Sequence, residues 1–193
     1  MEMRKLATRR LTPDDWARAA LDAIARGGID AVAVETVAAE LGATKGSFYW
    51  HFENRDALLQ AALDLWEKRC TDAVIEHLKD EPGPAERLRT VVSGGFTRGP
   101  TNRVEIALLA NPGHPAAVRA VRRVSKRRVK YLAQQLETIG WEASEALDRA
   151  VLLAYVYVGR IQTAHIARNI VRGSSEQRHV ELVLNALVER RPR

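Results

Sequence analysis

From Thr44 to His51 the chain reads TKGSFYWH, which brings one lysine, two hydroxyls, a glycine and the consecutive rings of Tyr49, Trp50 and His51 into little more than two helical turns. These groups donate hydrogen bonds, carry positive charge and offer flat apolar faces, which suits holding phosphates and base edges rather than breaking bonds. The rest of the chain offers no competing chemistry: no nucleophile-base-orienter pattern, metal-ligand spacing or phosphate-binding glycine loop stands out, and Gly94-Gly95 falls inside a helical stretch. The sequence therefore implies no enzyme, no cofactor and no metal.

The elements that must position these residues are two short helices joined at Gly42. Val34, Val37, Ala38 and Leu41 repeat at helical spacing, and Gly42 stands where a left-handed residue ends a helix without a Cβ clash. Thr44 can cap the next helix, in which Phe48 and Phe52 fall one turn apart and face a core. Gly46, Tyr49 and Trp50 then point away, and Lys45 lies in the outward first turn. Helix, glycine turn and second helix form a helix-turn-helix, whose second helix enters the major groove of DNA. An ordinary helical hairpin would show the same spacing. The three consecutive rings favour the DNA-binding reading, because at least one must be exposed at any helix phase and a packed hairpin seldom wastes apolar area that way.

At these residues the sequence resembles the TetR family of one-component transcriptional regulators. KGSFYWHFENRDALL is similar to that family's recognition helix and the start of the next one, VAAELG to the helix before it, and WARAALDAIARGGIDAV to the first helix with its Gly-Gly end. The motif similarity covers about the first third of the chain, and beyond it only the helix layout agrees. The resemblance implies that Thr44 caps the recognition helix and contacts phosphate, and that Lys45 reads a base edge, lysine to guanine being a favoured pairing. It further implies that Gly46 lets the backbone approach the groove, that Ser47 and Trp50 line the contact, and that Tyr49 and His51 bond phosphates. Arg55, where the family often has lysine, is expected to add a phosphate contact. The chain departs from the family at Ala33 and Val34, where threonine often opens the second helix, and at Glu35, where a basic residue is sometimes found. A cap and a phosphate contact are expected to be missing there, and Glu35, which near a phosphate would cost binding energy, is expected to be turned aside or to set a preference that the sequence does not reveal.

Length, composition and charge fit a small regulator. The chain has 193 residues, 46% hydrophobic content, a net charge of +6 and no run of about twenty apolar residues. Met1 to Arg10 is basic and polar, without the apolar stretch that secretion requires, so a cytoplasmic protein is expected, with no membrane partner. Arg4, Lys5, Arg9 and Arg10 form a basic arm placed to reach the minor groove or flanking phosphates, or else a solvated terminus. The single cysteine, Cys70, reads first as a buried small hydrophobe and only secondarily as a redox sensor.

Local signals predict helices throughout. Thr12, Pro13, Asp14 and Asp15 open the first, and Gly27-Gly28 ends it. A long fourth helix runs from Asn54 to about Lys79, with Leu59, Leu63, Trp66, Cys70, Ala73, Val74 and Leu78 on one side. Pro82-Gly83-Pro84 precedes a fifth helix ending near Gly99-Pro100, and a sixth spans Arg103 to Ala110. Pro115 opens another that runs to Ile139, Glu142 to Arg172 forms the next, and Ser174 with Gln177 caps the last. The fold class is all-α: an N-terminal three-helix helix-turn-helix head, residues 1–54, and a C-terminal helical effector-binding and dimerisation domain, residues 55–193.

Leu152, Tyr155, Val156, Val158 and Ile161 exceed what one core stripe needs, so a second apolar face wants a partner. The resemblance implies a homodimer through the two C-terminal helices, which sets two recognition helices about one turn apart on a double-stranded, palindromic operator. It also implies a small-molecule effector that lowers DNA affinity, the function of a repressor. Candidate pocket residues are Trp66, Cys70, Phe96 and Tyr155, with Gln162 and His165 as polar groups; core packing competes for the aromatics and the dimer interface for the polar pair. Arg119, Arg122, Arg123, Lys126, Arg127, Arg128 and Lys130 form a dense basic run, read as a solvated face or as a site for an anionic ligand. The rival function is an architectural DNA binder without an effector. Neither the effector nor the operator is legible in the sequence.

Overall fold

The computed structural model describes residues 10–96, 100–167 and 175–189, and among them every regular element is helical. The first helix, α1 (Pro13–Gly27), is fixed at its start by a capping box. Thr12 accepts from the Asp15 backbone N–H, and the Asp15 carboxylate accepts from the Thr12 N–H at 2.8 Å. A 3-10 turn (Ile29–Ala31) leads to α2 (Val34–Glu40) and α3 (Lys45–Tyr49), with Gly42 between them at φ +62°, a conformation that strains any side-chain-bearing residue. Asn54 accepts from the Ala57 N–H and starts α4 (Arg55–Glu67).

The predicted long fourth helix is not uniform. After Glu67 it passes through a π turn (Lys68–Asp72), continues as α5 (Ala73–His77) and closes in a 3-10 turn (Leu78–Asp80). Then come α6 (Pro84–Phe96), α7 (Pro100–Leu109), α8 (Pro115–Thr138), α9 (Ala143–Ile166) and α10 (Glu176–Leu187). Pro100, rather than Arg103, opens α7. The helix expected to reach Arg172 leaves helical geometry at Ala167, just past Ile166, which is exposed and gains nothing from burial. The Gly173 end lies outside the described residues, as does Ser174. Ser175 caps α10 in its place, accepting from the Arg178 N–H at 3.3 Å.

Two apolar cores result. The first joins Trp16, Ile24, Val37, Phe48, Leu58, Leu63 and Trp66 of α1 to α4 with Val104 and Leu108 of α7 and Ala117, Ala120 and Val124 of α8. The second joins Leu88 and Val92 of α6, Leu132 and Leu136 of α8, Ala150 and Leu153 of α9, and Leu184. Each large buried side chain contributes about 1.5–3 kcal/mol of transfer free energy, so both cores are substantial. The head is therefore not sealed off at Asn54: its core runs on through α4 and rests on α7 and on the N-terminal half of α8, whose other half belongs to the second core. At the far end, Trp141 donates from its indole N–H to the Val188 carbonyl at 3.1 Å, with the Arg149 guanidinium stacked 3.5 Å above its ring. Arg149 also donates to the Ala186 carbonyl, which ties the end of α10 to α9.

Candidate functional site

The recognition helix is set by its buried side. Phe48 is fully buried, edge-on to Trp16 at 5.6 Å and stacked on Phe52 at 5.7 Å, so the phase of α3 is fixed from below. Thr44 accepts from the Ser47 N–H at 3.2 Å and caps it. What remains outside is what the spacing predicts: Lys45, Gly46 and Tyr49 are exposed, and Trp50 is 82% accessible, far from ordinary for the largest apolar side chain. A Cβ added at Gly46 would meet only the Thr44 hydroxyl, at 3.7 Å, so nothing inside the protein requires glycine there.

Arg10, Leu11, Thr44, Gly46, Ser47, Trp50 and His51 line one open cleft of about 430 Å³, which brings the last residue of the basic arm against the recognition helix. Arg9 lies outside the described residues. His51 is half-buried with its ring 6.5 Å from that of Trp16. Lys45 is not free: its ammonium is paired with Glu35 of α2. The hydrogen bond to Lys45 lowers the Glu35 pKa, and the same bond raises that of Lys45. Glu35 is thus turned onto the side chain expected to read a base.

Arg55 stands differently from the phosphate contact that the resemblance implies. Its Nε donates to the Val32 carbonyl at 2.6 Å and its Nη2 to the Ile29 carbonyl at 2.9 Å, so the guanidinium closes the turn between α1 and α2. A side chain this committed supports the head from within.

The second feature is a cavity of about 530 Å³ between α5, α6, α8 and α9, walled chiefly by apolar side chains such as Leu78, Val91, Leu132, Leu153 and Val156. Of the pocket residues expected from sequence, Cys70 lines it. Trp66 does not, being fully buried in the first core one turn earlier, before the π turn rotates the chain. Tyr155 is 67% exposed on the outer side of α9, and neither half-buried Gln162 nor exposed His165 lies in the wall. The Phe96 side chain lies outside the described residues.

The polar groups of the wall are ones the sequence reading missed. Glu105, buried in α7, receives Arg128 Nη1 at 2.8 and 3.1 Å and the Tyr157 hydroxyl at 2.9 Å. Arg128 also donates to the Cys70 carbonyl at 3.3 Å and lies 5.2 Å from the Tyr157 ring centroid. Burial is the largest influence and opposes the Arg128 charge, but the charge and hydrogen bond of Glu105, with Cys70 and Tyr157, together outweigh it and hold the pKa above its ordinary value. Burial, then Glu105, pushes up the Tyr157 hydroxyl. Burial also raises the Cys70 thiol, so a reactive thiolate is disfavoured there. One signal was available, since Glu105 is a lone acid in the apolar run VEIALL.

Nor is the basic run a uniform solvated face. Arg123 bridges Asp64 and Glu67 of α4 at 3.2 and 2.9 Å, Arg127 pairs with Asp72 at 2.9 Å, and Arg128 is the buried partner of Glu105. Arg119, Arg122, Lys126 and Lys130 remain exposed. Arg123 and Arg127 thus fasten α8 to the helical path that leaves the head, and Arg128 ties it to α7 and to the Cys70 carbonyl.

Residues 17–62 match the family model described as bacterial regulatory proteins, tetR family. The chain is 28% identical over 155 residues to the tetracycline repressor protein class A from transposon 1721 of Escherichia coli, covering 79% of this chain and 66% of that protein. The match therefore spans just under two thirds of that relative's length. Among solved structures, a putative transcriptional regulator from Saccharomonospora viridis in complex with choline superposes with a TM-score of 0.77 at 21% identity, covering 92% of this chain and 98% of that one. The transcriptional regulator FadR from Bacillus subtilis in complex with stearoyl-CoA does so with a TM-score of 0.71 at 16% identity, over the same shares of the two chains. No helix of the described residues is long and apolar enough to cross a membrane. The head, residues 17–62, thus matches the tetR family of bacterial regulatory proteins in sequence, and the described helices beyond it share the fold of the solved regulators.

Proposed function

We propose that the protein is a cytoplasmic repressor that binds a palindromic operator as a homodimer and is released from it by a small molecule held in the cavity of the C-terminal domain. The observation that carries this reading is the continuity of one helical path. It starts at Asn54, directly after the recognition helix, and delivers Cys70, Thr71 and Leu78 to the cavity wall. A ligand that displaces this path shifts the head, and operator and ligand then oppose each other reciprocally. The two relatives described above in complex with choline and stearoyl-CoA support a ligand-binding role for this half of the fold.

Dimerisation is supported by Leu147, Leu152 and Tyr155 of α9 and Leu182 of α10, all large, apolar and exposed, on the two helices expected to form the interface. In the proposed complex Thr44, Ser47, Tyr49 and His51 contact phosphates and Lys45 reads a base edge, with Trp50 against the groove wall. An effector-independent architectural role leaves a cavity of about 530 Å³ without a purpose.

The test is fluorescence anisotropy on DNA from upstream of the protein's own gene against scrambled DNA at equal salt, with Tyr49→Ala alongside and light scattering for the oligomeric state. Tight, specific binding by a dimer, lost in Tyr49→Ala, is expected. A monomer at micromolar concentration, or equal weak binding to both DNAs and to sites drawn from a genome-wide selection, overturns the proposal.

A further inference from the structure

The charges in the cavity wall point to the kind of molecule it takes. Its volume of about 530 Å³ lies within the about 300–1,000 Å³ of ordinary small-molecule sites. Two charged side chains are sunk into the wall, Glu105 and Arg128, with side-chain exposures of 4% and 23%. They cancel. Arg128 Nη1 meets both carboxylate oxygens, and the Tyr157 hydroxyl takes a further acceptor position on Glu105. Arg69 and His77 also line the cavity, but both are exposed and solvated, so they give an entering charge little return. Any ionic ligand would leave water for a low-dielectric wall in which, among the described residues, the charges sunk into it already compensate each other. An uncharged molecule avoids that desolvation, and its apolar body is matched by Leu78, Val91, Leu132 and Val156.

We infer that the effector is an uncharged, predominantly apolar molecule with a single hydrogen-bonding group placed at the Glu105–Arg128–Tyr157 cluster. This rests on the ligand-responsive reading above and narrows it to one chemical class. Polar selection comes from the Tyr157 hydroxyl, whose proton is given to Glu105 and whose oxygen can accept, and from its neighbours Thr71 and Asn102, neutral groups suited to a hydroxyl or carbonyl.

The test uses the full-length protein loaded with Nile red, an uncharged fluorescent probe, displaced by a matched series at neutral pH: decyl alcohol, decanoate and decyltrimethylammonium, each below its micelle concentration. Decyl alcohol is expected to displace the probe at a concentration at least about ten-fold lower than either ion, a difference equivalent to about 1.4 kcal/mol. Either ion matching or beating the alcohol overturns the inference and leaves the ligand-responsive reading standing. Failure of Nile red and all three compounds to bind overturns both. Glu105→Gln supplies a second readout, since it leaves Arg128 uncompensated: decanoate should gain at least about ten-fold relative to the alcohol if the paired charges set the preference. No change in the ratio in a folded Glu105→Gln protein refutes the charge argument, and if that variant does not fold, the displacement order in the parent protein decides alone.

Discussion

The carboxylate of Glu35, one residue into α2, holds the ammonium of Lys45, the first residue of α3. Each helix of the helix-turn-helix contributes one member of the pair, and the lysine held is the one expected to read a base. In the proposed complex DNA competes with Glu35 for that lysine, and the carboxylate beside it repels phosphate. Glu35→Ala should therefore tighten binding to operator and to unrelated DNA alike, by about three- to ten-fold at fixed moderate salt, and steepen the salt dependence by about one counterion per recognition helix. Unchanged or weaker affinity in an anisotropy titration would count against this. Lys45→Ala should do the reverse on the operator.

Gly46 separates the needs of folding from those of binding. Because a Cβ there meets only Thr44 at 3.7 Å, Gly46→Ala is accommodated, and the helix gains about 0.5–1 kcal/mol from the lower entropy of alanine. The methyl group then stands between α3 and whatever it approaches. We expect urea denaturation to show equal or higher stability while DNA affinity drops by at least about ten-fold. Parallel changes in both measurements would show that glycine serves the fold alone.

Arg55 should behave in the opposite way. Removing its two charge-assisted bonds takes from the part-buried Val32 carbonyl its side-chain partner, while the Ile29 carbonyl still accepts from the Val32 N–H, so Arg55→Ala should destabilise the protein by about 1.5–3 kcal/mol, read by urea denaturation in the absence of DNA. Arg55→Lys should recover only part, because one ammonium does not span two carbonyls as a planar fork does. If stability is untouched and only DNA affinity falls, Arg55 is the phosphate contact that the family resemblance implies.

The buried cluster gives the protein an alkaline limit. Tyr157 ordinarily titrates near 10.0, and burial beside Glu105 raises that value in the folded state. The folded chain then keeps this proton after the unfolded chain has lost it. The stabilisation is fully present below about pH 10 and declines as pH climbs above it. Cys70, also raised, acts in the same direction from its ordinary value of 9.0. In Tyr157→Phe, the loss of stability between about pH 9 and pH 11 should be shallower than in the parent protein, although the variant starts about 1 kcal/mol lower for want of the hydrogen bond. Equal slopes would show that Tyr157 does not gate this range.

The head was legible because its rules are local. Thr12 with Asp15, Thr44 with Ser47, and Gly42 between two apolar stripes are relations within a few residues, and the structure repeats them. Trp50 is placed outside by the phase that Phe48 and Phe52 set, with the crowding of three consecutive rings in support. The cavity was not legible in this way, because Glu105, Arg128 and Tyr157 lie on three helices and meet only after long-range packing. Arg128 was masked by its basic neighbours, and Tyr155 was chosen where Tyr157, two positions on, is the ring in the wall. Trp66 sits where the competing expectation of core packing puts it, before the π turn. No proline or glycine announces the π turn, so the periodicity was carried straight through it.

That turn has a consequence of its own. Up to Trp66 the helix meshes with the head, Cys70 touches both the head core and the chamber, and Thr71, Ile75 and Leu78 face the chamber. The extra residue between Lys68 and Asp72 is a phase correction, like a spline fitted between two gears cut at different angles. Deleting one residue there would rotate everything beyond by about 100°, carrying Ile75 and Leu78 off the chamber wall while the head stayed whole. Such a protein would grip its DNA and be deaf.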